Sequence, residues 1–324
     1  MNFIAVLAAL GLEQWRAFRW RATLERAFRA YARWLDEKLD AGAAQQGAVA
    51  TIAALVPPVV VAAGVHAALA TVHPLLALAW DIVLLYLLMG FRRFSHAYTD
   101  VVIALKAGDI PAARRALASW RGSVASELSA TDIAKLAIEQ GLMDSYRQVF
   151  AALFWFTVLP GPAGAVLYRA VALLADEWSG DNGAGADVTP ISRARNKFGA
   201  PARRLLWILD WIPVRLTALS FAIVGDFEDA VHCWRTQASS WAKQEGGQHA
   251  GIVLASGGGA LGVVLGGQLP VPGGEPEFRP EIGMGEPADA ELLPSGVGLV
   301  WRALVLWLLL MLLLTLAYWA PGGG

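Results

Sequence analysis

The chain has 324 residues, 56% of them hydrophobic and 16% charged, against about 25% charged in an ordinary soluble domain. With 26 Lys and Arg and 27 Asp and Glu, the formal net charge is −1, so bulk charge offers nothing to nucleic acid. The single cysteine, Cys233, excludes an internal disulfide and any multi-cysteine metal site.

Charge and apolarity are segregated into blocks, which predicts an all-α, polytopic integral membrane protein with re-entrant or broken helices and cytoplasmic helical segments. Residues 1–47 open with an apolar stretch, Met1 to Leu12, that lacks the basic start of a signal peptide. A basic amphipathic helix follows, with Trp15, Phe18, Leu24, Phe28, Tyr31 and Trp34 among arginines. Such a helix suits an anionic membrane surface, or packs on its own protein.

Residues 48–91 read as a transmembrane hairpin that turns at His73-Pro74, with Pro57-Pro58 expected to kink or break its first arm. Residues 92–148 are polar and helical in pattern, with eight Lys and Arg from Arg92 to Arg147. The positive-inside rule places both flanks of the hairpin in the cytoplasm. Within 149–225, the apolar block ending at Ala175 is interrupted by Leu159-Pro-Gly-Pro-Ala163. A single span there would put the arginines that follow outside, whereas a re-entrant hairpin, the favoured reading, keeps them inside. The next apolar stretch, Leu205 to Val224, contains Asp210, Pro213 and Arg215. Residues 226–296 are rich in Gly and Pro, with 268–296 expected to be an irregular loop. Residues 297–324 read as a C-terminal transmembrane helix, its apolar block Val297 to Ala320 bordered by Trp301, Tyr318 and Trp319 and long enough to cross a bilayer.

Several of these residues could carry chemistry. Ionisable groups inside a membrane usually pair or line a wet cavity. Asp210 and Arg215 are five apart, and a break at Pro213 would bring them together, either as an anion-holding site or as a structural pair. Arg169 could grip phosphate or carboxylate with its two-pronged fork, or reach to the interface. Gly257 to Gly267 lacks the Gly-Lys-Ser/Thr ending of a phosphate loop. Its glycines serve an anion nest or close helix packing. Asp132, Glu139 and Asp144 share one helical segment, which a solvated face also explains. The five histidines have no metal-ligand spacing.

Four stretches resemble the CobD/CbiB family of cobalamin biosynthesis. They are Ala151-Ala-Leu-Phe-Trp155 with Pro160-Gly161-Pro162 and Tyr168-Arg169-Ala170; Ile212-Pro-Val-Arg-Leu-Thr217; Ala250-Gly251 with Gly259-Ala-Leu-Gly-Val263 and Leu265-Gly-Gly267; and Gly274-Glu275 with Arg279-Pro280 and Ile282-Gly283. The resemblance implies an ATP-dependent synthase, with magnesium, that joins an amino-alcohol or its phosphate to a corrinoid carboxylate. It implies substrate or phosphate binding at Arg169, Arg215, Arg279, Gly259, Gly262, Gly266 and Gly267. Glu139 and Asp210 are the acidic candidates for catalysis, and no residue is assigned to a metal.

The first half departs from that pattern. Arg121 is followed by Gly122-Ser123 where the family has Gly-Arg-Asp, and His249 and Ile252 replace an Asn and a Trp. The basic start, His96-Ala97-Tyr98 and Leu209-Asp210-Trp211 resemble the AmpE family instead. This implies a non-enzymatic membrane sensor that modulates β-lactamase. A third reading is a membrane scaffold for a partner enzyme. The expected partners are membrane lipid, a corrinoid or other anionic small molecule and, for the scaffold, a protein. The expected location is the bacterial inner membrane, with several passes.

Overall fold

A computed structural model describes residues 2–15, 21–39, 44–122, 127–179, 190–244, 246–270 and 276–319. In chain order the helices are α1 (Asn2–Trp15), α2 (Arg21–Leu39), α3 (Ala44–Val72), α4 (Pro74–Leu88), α5 (Phe91–Lys106), α6 (Ile110–Arg121) and α7 (Ala130–Ser145). A π-helical turn, Tyr146–Phe150, joins α7 to α8 (Ala151–Val158). Then come α9 (Ala163–Glu177), α10 (Pro190–Val224), α11 (Phe227–Gln237), a 3-10 turn (Ala238–Lys243) and α12 (Gly247–Leu261). Strands β1 (Val263–Leu269), β2 (Glu277–Gly283) and β3 (Glu286–Pro287) precede α13 (Leu293–Trp319).

Local chemistry explains several of the boundaries. His73 accepts the Leu75 N–H at 3.2 Å and Pro74 opens α4, where its missing N–H costs nothing. Asp109 caps α6 through the Ala112 N–H, and Gly122 ends it with φ +72°. Ser129 and Asp132 form a reciprocal capping box at the start of α7. Asp226 caps α11 through the Asp229 N–H.

Among the described residues, three helices are long and apolar enough to cross a membrane: Gln45–Val72, Lys197–Val224 and Leu293–Ala317. The last presents Leu309, Leu310, Leu313, Leu314 and Leu316 outward, an apolar surface that water would not tolerate over such a length. This is a predominantly helical membrane protein.

The chain divides into two compact units. The first comprises Met1–Met89 and Ala151–Trp211. Here α2 is tied to its neighbours by polar bonds as well as by packing. The buried Arg21 donates to Tyr86 O (2.6 Å), Leu87 O (2.8 Å) and Glu13 Oε1 (3.2 Å), so it caps the last carbonyls of α4. The Trp178 indole donates to Ala32 O at 3.2 Å, and Glu177 pairs with Arg33 at 3.2 Å. Asp81, in the second arm of the hairpin, is buried and meets His66 Nδ1 at 2.7 Å.

The prolines inside α3 and α10 do not break these helices. α3 runs unbroken through Pro57 and Pro58, and α10 through Pro213. A proline deprives the carbonyl four residues earlier of its donor. For Pro57 that carbonyl is Ala53 O, which accepts the Tyr31 hydroxyl at 3.0 Å. For Pro213 it is Leu209 O, which accepts the Trp155 indole at 3.2 Å. A side chain from elsewhere restores the lost bond, so no break is needed at either place. Pro160 and Pro162 do interrupt the chain: α8 and α9 are separate helices that meet closely at Gly164, where a Cβ would lie 2.0 Å from Trp155 O.

The second unit comprises Gly90–Phe150 and Ile212–Gly324. α12 is buried from His249 to Ala260. Its glycines let neighbouring backbone approach: a Cβ on Gly259 would lie 2.6 Å from Asp229 O, and one on Gly251 2.3 Å from Ala238 O. The stretch expected to be an irregular loop contributes β2 and β3 to a sheet in the order β2-β1-β3, whose middle strand begins in the glycine-rich segment before it, with β1 antiparallel to β2 and parallel to β3. Pro280 can sit in β2 because that strand is an edge. The π turn packs inward, where its last residue, Phe150, lies edge-on to Phe221; nearby in the same unit the Trp307 indole donates to Ser220 Oγ at 2.8 Å.

Candidate functional site

In the second unit, α7 presents one face to the sheet. Lys135 and Glu139 lie four residues apart and so project from the same side. Opposite them, the register of β1 and β2 slips between Leu265 and Gly267. Gly266 stands in that bulge at φ +76°, and a Cβ there would lie 2.1 Å from Pro280 O, so only glycine is accommodated. The bulge turns the Gly266 N–H toward α7, where it donates to Glu139 Oε1 at 2.9 Å.

Glu139 receives a second partner from β2. Arg279 Nη1 donates to Oε2 at 2.7 Å and Nη2 to Oε1 at 3.1 Å, a two-pronged pairing in which both side chains are over 90% buried. The guanidinium lies over the Trp241 ring, 5.4 Å from its centroid. Burial strengthens such a pair and makes each member depend on the other. Gly267 follows at φ +80°, pairs in register with Arg279, and has Lys135 Nζ 3.3 Å from where its Cβ would stand.

The structure therefore gathers Glu139, Gly266, Gly267 and Arg279 from three elements, and adds Lys135 and Trp241. The other two glycines lie apart from this cluster. Gly259 is within α12 and Gly262 caps its end at φ +67°. Of the remaining acids of α7, Asp132 serves the capping box. Asp144 accepts the Trp120 indole at 2.9 Å and the Gln140 amide at 3.2 Å, and burial raises its carboxyl.

Arg215 also lies in the second unit, where its charge reaches His249. Burial first, and that positive charge second, pull the His249 imidazole down to about 4, so it is neutral at pH 7. Asp210 and Arg169 belong to the first unit. Asp210 is 7% exposed and accepts the Tyr168 hydroxyl at 2.9 Å; Arg169 pairs with Glu25 at 3.0 Å. α10 continues through Pro213, so the break expected between Asp210 and Arg215 does not occur. Gly274 and Glu275 lie outside the described residues.

Lys135 had a signal in the sequence, one helical turn before Glu139. Trp241 had none, because its place beside Arg279 depends on the packing of the 3-10 turn. Chemically the cluster recognises an oxyanion: the guanidinium fork and the Gly266 amide hold the Glu139 carboxylate, and the Lys135 ammonium stands beside Gly267. Among the described residues no group of three or more His, Cys, Asp or Glu stands together as a metal set.

Comparison with known proteins gives a consistent picture. The family model described as CobD/Cbib protein matches residues 6–300. A protein of Stutzerimonas stutzeri named Cobalamin biosynthesis protein CobD is 38% identical over 262 residues, covering 77% of this chain and 81% of its own. The protein of that name from Chromobacterium violaceum is 37% identical over 263 residues, covering 81% and 78%. One from Geobacter metallireducens is 29% identical over 247 residues, covering 75% and 74%. No solved structure matches.

Proposed function

The chain belongs to the CobD/CbiB family of cobalamin biosynthesis, and from that premise we propose that it is a membrane-bound synthase forming an amide between an amino-alcohol, or its phosphate, and a corrinoid carboxylate. The amine displaces an oxygen of the activated carboxylate. ATP supplies the activation, so that oxygen leaves with phosphate, and the amine gives up a proton. The observation that carries the reading is the buried meeting of Arg279, the Gly266 amide and Glu139. ATP bears phosphate, the corrinoid a carboxylate and the phosphorylated form of the amine a phosphate, and the Glu139 carboxylate held here by Arg279 and the Gly266 amide is a group of that kind.

In this reading Arg279 and Lys135 receive an anionic group, and Arg215 and Arg169 are further cations for the corrinoid or its partners. Glu139 and Asp210 are the acids available to hold or move a proton. A magnesium ion would arrive with the nucleotide and take most of its ligands from phosphate oxygens and water, with one or two carboxylates at most. The protein sits in the bacterial inner membrane with several crossings. Its basic flanks at α2 and α5–α7 face the cytoplasm, and α8 and α9 form a re-entrant hairpin. Lipid is its standing partner.

The test is direct binding. Detergent-purified protein is titrated with a corrinoid bearing the free carboxylate and followed through corrin absorbance. Saturable binding that Arg215→Ala weakens supports the proposal; no binding at saturating corrinoid removes it.

A further inference from the structure

The Arg279 guanidinium has three ways to meet a partner, and two are taken. Its end, Nη1 and Nη2, is held by Glu139, and its central carbon stands over the Trp241 ring, 5.4 Å from the centroid. The in-plane edge at Nε remains. That Nε–H is buried in a residue only 6% exposed, and it has no acceptor among the described residues. A charged donor in such a place keeps its full desolvation penalty until an acceptor reaches it. The neighbouring groups indicate what that acceptor is. Gly267 stands across the strands from Arg279 and carries no side chain. Lys135 Nζ comes within 3.3 Å of the space a Gly267 side chain would fill, and Lys135 forms no ion pair among the described residues. Glu281 Oε1 approaches that space to 3.5 Å from the exposed side.

We infer that the Nε edge of Arg279, the Lys135 ammonium and the bare backbone at Gly267 form an oxyanion subsite, with Glu139 holding the guanidinium in place and Glu281 standing as a repelling charge at its mouth. The subsite rests on the synthase reading only for the identity of its ligand, which is either a phosphoryl group of the amine or nucleotide or the carboxylate of the corrinoid. Its existence follows from the geometry alone.

The test uses the full chain in detergent, titrated separately with inorganic phosphate and with acetate at matched ionic strength. Calorimetry reads the affinity, and the thermal midpoint checks that each variant is folded. Wild-type protein should bind one of the two saturably: phosphate identifies the phosphoryl group, acetate the carboxylate. Lys135→Ala, at a half-buried and unpaired position, should weaken binding roughly tenfold, the worth of one charge-assisted hydrogen bond. Arg279→Lys keeps the charge but loses the edge, and should abolish binding if it folds. Glu281→Gln should tighten binding, a gain that loss of structure cannot produce. The inference is overturned if neither anion saturates, if Lys135→Ala titrates like wild type, or if Glu281→Gln binds more weakly. Absence of corrinoid binding would remove the synthase reading and leave these titrations untouched.

Discussion

Replacing Tyr31 by Phe deletes one hydroxyl from α2 and leaves its ring in place. That hydroxyl donates to Ala53 O at 3.0 Å in a part-buried setting, and Pro57 has no N–H to take over. A neutral hydrogen bond contributes about 0.5–1.5 kcal/mol net, and a buried carbonyl left unmet costs about 1–3 kcal/mol. With the pair only part-buried, the expected loss is about 1 kcal/mol, roughly a fivefold fall in the ratio of folded to unfolded protein. The decisive control is Pro57→Ala, which returns a backbone donor to the same carbonyl. In that background Tyr31→Phe should cost less than half as much. Reversible unfolding of all four proteins in mixed micelles, followed by circular dichroism, gives the coupling directly. An equal cost with and without Pro57 would refute the idea that the tyrosine stands in for the missing helix bond.

Glu139→Ala should destabilise the second unit by about 3–5 kcal/mol, because it strands a buried guanidinium; adding Arg279→Met should recover much of that loss. Denaturant titration of the single and double variants tests this, and a double variant no better than Glu139→Ala would contradict it. Gly259→Ala should lower stability by about 1–3 kcal/mol through its 2.6 Å clash with Asp229 O. Gly298→Ala, with nothing within 4 Å, should raise it by about 0.5–1 kcal/mol in thermal melts. His249 takes up a proton near its ordinary 6.5 when unfolded but only near 4 when folded. Its contribution is therefore intact above pH 6.5 and is lost as pH falls toward 4. The unfolding midpoint of His249→Asn should decline less over that window, and parallel profiles would exclude the assignment.

The long apolar runs were legible because hydrocarbon thickness sets their length, and α3 and α13 fall where composition alone places them. The prolines were harder to judge. Whether Pro57 or Pro213 breaks a helix depends on a donor 26 or 58 residues earlier, Tyr31 or Trp155, and no local pattern marks that donor. The strands were hidden for a similar reason. β1 carries Gly266 and Gly267, and β2 carries Pro280, so neither has the β-branched alternation that announces a strand. Within the site, Glu139 and Arg279 were each legible as a charged residue in an apolar chain. Their pairing spans 140 positions and was fixed only by the bulge that brings Gly266 between them.

The way α2 is wired has a practical consequence. A positively charged, aromatic helix near the start of a membrane protein invites removal, as though it were a detachable foot resting on lipid. Here a chain begun after Leu39 would lose the cap on Tyr86 and Leu87, the donor to Ala53 and the acceptor for Trp178. Three other helices would be left with bare polar groups, so trimming this segment to improve crystals or expression should instead yield a protein that aggregates.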